Sequence, residues 1–402
     1  MTKKLLTILT VLLFCAPNVF ADTIQINNVS LRSGAGAFFP VIKVLKKGDY
    51  VKLIKKQRFW YKVKTKDAKR GWISTNSFRK IKKSINYGLV SRDLSGRTIS
   101  KLMVTAAVKG FFENQIKSKS INKDLFRSPY TRYLDPYRYM DFKSETFRGR
   151  LDQYSYRSKF KVVYKNSFNI TEDMFATSAF VAARLGSPGL VLNRRITQYV
   201  NSVAQLIVES TEFFDLPITV HIVDTNQLFA NATPIGVIMI SKGMLKAIQS
   251  ENELACLIAH EISHVTLGHG MTETGKRKHM IKAQSAFSEL EDETDHEDAD
   301  MDELASDMYE RSVKGRKAKY EMAADKRGAI YAYRAGYDFN GMSTLLQRLK
   351  SMIPVSQEPE DSSHWLPMGI KKRIIVLNNF TNSIRKDSSY KTFRNRYLRF
   401  SR

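Results

Sequence analysis

The chain is 402 residues long, with a formal net charge of +26, 43% hydrophobic residues and 23 phenylalanines. That apolar share excludes wholesale disorder, and the length exceeds the roughly 50 to 250 residues of a single domain, so two or three units are expected. Charge of this sign predicts attraction to anionic surfaces.

Residues 1–21 read as a secretory signal peptide. Lys3 and Lys4 precede the apolar run Leu5 to Phe14, and Val19-Phe20-Ala21 carries small residues at its first and third positions. Cleavage after Ala21 predicts export to the periplasm, as a soluble or peripherally attached protein. It also removes Cys15, so Cys256 stands alone and no intramolecular disulfide framework is available. No later apolar run approaches the roughly 20 residues of a membrane span, and the mature chain is expected to have no transmembrane segment. Phe126 to Phe168 interleaves twelve aromatics with many Lys and Arg. In an exported chain this mixture reads as core and surface, and nucleic acid is not an expected partner.

Residues 22–84 alternate apolar and polar residues in short runs, such as Val41-Ile42-Lys43-Val44-Leu45 and Tyr50-Val51-Lys52-Leu53-Ile54, separated by glycine and charged turns. Short strands at this spacing predict a small all-β barrel. The order Val29 to Gly36, Leu45-Lys46-Lys47-Gly48-Asp49, Trp60-Tyr61-Lys62-Val63 and Gly71-Trp72-Ile73 resembles a bacterial SH3 domain. Residues 43–83 hold sixteen Lys or Arg and two acids, which fits either a solvated surface or one that meets an anionic envelope surface. The resemblance itself implies binding to cell-wall peptide (peptidoglycan) or to other protein segments.

Residues 85–170 form a connecting region with no motif that carries chemistry and one expected helix around Ser100 to Glu113. A second organised region spans 171–382, with helix-period apolar residues at Ile196, Val200, Val203 and Ile207 and strand-like runs Ile218 to Val223 and Val237 to Ile240. Glu289 to Glu303 packs ten acids into fifteen residues, a block of the kind that is usually solvated. The basic tail, 383–402, is expected at the surface.

Ser250-Glu251-Asn252-Glu253 has the form of a capping box, followed at helical spacing by Leu254, Leu257, Ile258 and Ile262. The helix this predicts runs from about Glu251 to Gly268 or Gly270. On it His260 and His264 share a face, four residues apart, where two imidazole nitrogens reach one metal ion, and Glu261 beside them is placed as the general base. A metzincin third ligand is excluded by spacing, because Leu267 and Gly270 stand where that family has Gly and His, and His269 falls one position short. The remaining third ligand is Glu321 in Tyr320-Glu321-Met322-Ala323-Ala324-Asp325, where two alanines allow a second helix to approach closely. Asp325, one turn on, is placed to hydrogen-bond the free ring nitrogen of a ligand histidine.

These residues, with Asn231-Ala232 and the run Gly236 to Leu245, resemble the gluzincin peptidases related to HtpX, the CAAX prenyl endopeptidases and the mitochondrial Oma-type protease, over about Ala182 to Asn379. The resemblance implies a multidomain chain: the all-β SH3-like barrel followed by a mainly helical α+β zincin-like peptidase domain holding one Zn2+ per chain and acting on protein or peptide substrates. It also implies an edge strand carrying Asn231, Gly236, Val237 and Ile238 along which substrate pairs. In the periplasmic members a downstream His-Pro motif followed by Arg lies near the metal. Its counterpart here is His364 in Ser363-His364-Trp365-Leu366-Pro367, with Arg373 beyond, as gating or oxyanion groups. Three functions follow: an envelope endopeptidase acting on misfolded or misassembled proteins, a cell-wall peptide hydrolase, or a non-enzymatic wall-binding or chaperone-like protein.

Overall fold

The computed structural model of the chain describes residues 21–26, 29–78, 134–149, 178, 182, 185, 186, 188–216, 218–269, 318–352, 370–383 and 390–401. The chain divides into two compact units, one within Met1–Lys82 and one within Lys83–Arg402. The helix expected at 100–113, the acidic block at 289–303 and His364 lie outside the described residues.

In the first unit β1 (Ala21–Thr23), β2 (Val29–Arg32), β3 (Val41–Leu45), β4 (Tyr50–Gln57), β5 (Trp60–Thr65) and β6 (Arg70–Ser74) form one six-stranded sheet in the order β1-β4-β5-β6-β2-β3, and a 3-10 turn follows at Thr75–Phe78. All neighbours are antiparallel. Every second side chain turns inward, so Val51 on β4, Val63 on β5 and Ile73 on β6 join Ile24, Val29, Leu31 and Leu45 in one core. Between β4 and β5 the register steps from Leu53↔Val63 to Lys55↔Lys62, which leaves Ile54 as the extra residue of a bulge. The sheet also takes in Ala21, paired with Lys52, so the last residue ascribed to the signal peptide belongs to the fold.

The second unit is mainly helical. It contains α1 (Pro136–Phe147), α2 (Arg194–Glu209), α3 (Lys242–Ala247), α4 (Glu251–Thr266), α5 (Ala318–Arg334), α6 (Gly341–Met352), α7 (Ile370–Ser383) and α8 (Arg394–Ser401), with a three-stranded sheet of β7 (Thr219–Val223), β8 (Ala230–Ala232) and β9 (Val237–Ser241). Every residue of α4 from Glu251 to Val265 is buried, the apolar ones in the core and charged ones such as Glu251 and Glu253 against partners on other helices. Helix α4 forms the axis of the unit, with α2, α5 and α6 packed around it. Among the described residues no helix is long and apolar enough to cross a membrane.

Strand β9 lies in the middle of the sheet, parallel to β7 and antiparallel to β8. This corrects the expectation of an edge strand at Val237 and Ile238: both sides of β9 are occupied. Gly236 precedes it at φ +91°, where a Cβ would come within 2.5 Å of Ile218 Cδ1, so it serves the turn into β9. Of the four residues expected on the edge, only Asn231 stands there, on β8. The outer side of β7 is closed. Asn201 Nδ2 donates to Val220 O (2.8 Å) while its Oδ1 accepts from Val220 N (2.9 Å), and Val191 N donates to Ile222 O (2.8 Å).

The capping box does not form. Ser250 Oγ donates to Asn252 Oδ1 (2.6 Å), and Glu253 accepts instead from Gln249 N (2.8 Å) and both Nη atoms of Arg348 (2.7 and 2.8 Å), a charge-assisted pair that outweighs a cap. The basic tail is not a surface appendage either. Arg396 on α8 is buried and pairs through Nε and Nη2 with Glu251 (2.6 and 2.5 Å), a fully buried carboxylate that also accepts from Tyr199 and Tyr337 hydroxyls (2.7 and 2.8 Å). Burial is possible because the Glu251 charge faces that of Arg396 and both tyrosine hydroxyls donate to the carboxylate.

Candidate metal centre

His260 and His264 lie on successive turns of α4, and their Nε2 atoms approach to 3.0 Å. Glu321, in the first turn of α5, closes a triangle, with Oε2 3.2 Å from His260 Nε2 and Oε1 3.3 Å from His264 Nε2. All three side chains are buried. An ion with bonds of about 2.0 to 2.1 Å to tetrahedral ligands separates them by about 3.3 Å, so the donor set and its spacing fit zinc. Without an ion, two imidazoles facing each other through Nε2 against one carboxylate would be poorly matched, which is the arrangement a cation resolves. Among the described residues this is the one group of three or more His, Cys, Asp or Glu placed to hold a metal.

The helices meet because α5 turns Glu321, Ala324, Asp325 and Gly328 toward α4. At Gly328 a Cβ would lie 2.9 Å from His260 N and 3.0 Å from its Cα, so only glycine permits this approach. Ala324 is fully buried in the contact, whereas Ala323 is only half-buried.

Asp325 Oδ1 lies 2.8 Å from His260 Nδ1, which puts the ring proton on Nδ1 and leaves Nε2 as a donor to metal. Arg373 on α7 is fully buried and holds Asp325 with Nε and Nη2 (both 2.8 Å), while its Nη1 lies 3.2 Å from Glu321 Oε2. Arg373 is therefore committed to the carboxylates behind the ligands, and this corrects its reading as a gating or oxyanion group. Burial disfavours ionisation of Glu321 and Asp325. The His264 and Arg373 charges outweigh it for Glu321 and hold it well below the usual carboxylate range, and Arg373 and His260 hold Asp325 down as well. Burial likewise opposes a charge on His260, yet in the metal-free protein Asp325 and Glu321 push it up to about 9.

Glu261, adjacent to His260 in sequence, is buried and close enough for its charge to act on Arg373. His269 is buried, with Nδ1 2.9 Å from His264 Nδ1 and its ring against Tyr320. No spacing rule pointed to it. It acts just past the end of α4, where the chain turns back on the helix. His364 lies outside the described residues.

Residues 192–367 match Peptidase family M48, and residues 27–78 match a bacterial SH3 domain. Over residues 192–367 the chain is similar to the M48 peptidases. The M48 match takes in both helices that carry the His260, His264 and Glu321 triangle, and M48 metallopeptidases are zinc-dependent, in agreement with the donor geometry. The chain is similar to the beta-barrel assembly-enhancing protease of Escherichia coli, 24% identical over 226 residues, which covers 55% of this chain and 46% of that protein. A protein of the same name from Yersinia pestis is 25% identical over 199 residues, 48% of this chain and 41% of the relative. The mitochondrial metalloendopeptidase OMA1 of Danio rerio is 33% identical over 73 residues, 18% of this chain and 15% of the relative. The chain thus spans less than half the length of these relatives.

Proposed function

We propose that this protein is a zinc-dependent endopeptidase of the bacterial cell envelope that cleaves misfolded or misassembled envelope proteins. The observation that carries the reading is the buried His260–His264–Glu321 triangle next to Glu261 within the M48 domain. The relatives named for enhancing β-barrel assembly support the envelope substrate class, and the signal-peptide pattern of residues 1–21 supports export to the periplasm.

Zinc, when bound, supplies Lewis acidity toward the scissile carbonyl and acidifies water. Glu261 takes the proton from the attacking water and passes it to the departing amide nitrogen. Asp325 keeps the His260 proton on Nδ1, His269 does the same for His264, and Arg373 holds Asp325 and Glu321 in place.

Glu261→Gln preserves size and hydrogen bonding and removes the basic oxygen. It is expected to keep zinc and fold while casein turnover falls about 10²-fold to 10⁴-fold. Equal turnover at matched zinc content overturns the assignment and favours a non-enzymatic protein. The bacterial SH3 unit favours a second reading, hydrolysis of cell-wall peptide. Cleavage of cross-linked wall peptides with no cleavage of casein would move that reading to first place.

A further inference from the structure

We propose that the outward face of β4, β5 and β6 is a docking surface for an anionic lipid bilayer. The three strands contain no aspartate or glutamate, and their outward positions align cations with cations. Lys52 on β4 stands opposite Lys64 on β5, which stands opposite Arg70 on β6. In the next row Lys55 faces Lys62, which faces Trp72. Neighbouring strands are about 4.8 Å apart, and like charges directly opposed across them destabilise a sheet. The inward core of Val51, Val63 and Ile73 holds the face together against this repulsion. The turn carboxylate that could relieve it, Asp67, is taken by Lys43 Nζ (2.9 Å) and Thr65 Oγ1 (2.5 Å).

The occupant this face lacks is a planar array of anions, and the apolar groups among the cations make it a bilayer. Ile54, the bulge residue between Lys52 and Lys55, is 45% exposed, as is Tyr50 at the head of the same strand, and Trp72 is half-buried on the outward side. At a membrane surface such side chains enter the zone between head groups while lysine ammonium groups on their flexible stems reach the phosphates. This goes beyond the peptidase reading and rests on it only for which membrane is met, that of the envelope.

The test is cosedimentation of the full chain with phosphatidylcholine vesicles, with and without phosphatidylglycerol, at low and high salt. The expected result is binding only to the anionic vesicles, weakened by salt. Lys52→Gln/Lys64→Gln/Arg70→Gln should weaken it about a hundredfold, from roughly fivefold per cation near an anionic leaflet, without lowering the melting temperature, since a like-charge row has been removed. Lys246→Gln/Lys371→Gln/Lys372→Gln, an equal charge change in the second unit, should leave it unchanged. Ile54→Asn should weaken binding severalfold at constant charge. Equal loss in both triple variants would show attraction by net charge alone and overturn the proposal. So would full displacement by soluble inorganic polyphosphate combined with no effect of Ile54→Asn, which would mark a polyanion site. Casein turnover measured on the same preparations separates the two readings, because loss of vesicle binding with turnover intact removes the docking surface alone.

Discussion

His269 and Arg373 extend the candidate metal centre beyond its three proposed ligands, each through a different physical effect. With His264 presenting Nε2 to a metal as proposed, its Nδ1 carries the proton and His269 Nδ1, at 2.9 Å, is the acceptor that fixes this tautomer. His269→Ala should therefore lower zinc affinity about 10-fold to 100-fold, measured by competition with a chelator, and His269→Asn should recover part of it. Arg373 neutralises two buried carboxylates at once. Arg373→Met leaves them uncompensated and should destabilise the metal-free protein by about 3 to 5 kcal/mol in denaturant titration, with zinc restoring part of the loss. His260, Glu261 and His264 were legible because four residues is one helical turn, and Glu321 because Asp325 follows it at that same spacing. His269 was not, since its position depends on how the chain leaves α4.

At the scale of elements, the metal centre exists because α4 and α5 touch. The sequence offered Ala323 and Ala324 for this approach, and the contact is made at Ala324 and Gly328. Gly328→Ala places a methyl against the His260 backbone and should cost about 1 to 3 kcal/mol, with zinc affinity falling in parallel as Glu321 is carried away from the histidines. A fall in stability at constant affinity would show that α5 tilts without moving Glu321. The far end of α4 is held by Glu251 and Arg396, partners 145 residues apart. Glu251→Gln should lower stability by about 3 to 5 kcal/mol, measured by thermal or chemical unfolding, by leaving a buried guanidinium unpaired. Local pattern assigned Glu251 to a helix cap, and a local pattern cannot contain a partner on α8.

For the whole molecule, acid and metal act on the same cluster. Glu321 and Asp325 titrate below the usual carboxylate range in the folded state, so the stability they contribute is fully present above about pH 5 and is lost progressively as the pH falls from there toward their lowered folded-state range. Unfolding of the chelated protein followed from neutral pH to about pH 3 should show this decline, and Asp325→Asn should flatten it. The sequence by itself determined the β-rich first unit and the helix that carries His260, Glu261 and His264 on one stretch, because alternation and the 3.6-residue repeat are local properties of the chain. Only the tertiary structure decided that β9 lies between β7 and β8, that Arg373 serves the carboxylates and that α8 is buried on Glu251. Strand order and ion pairing join residues far apart in the chain, and they are fixed by which buried charges and open backbone groups can be satisfied together.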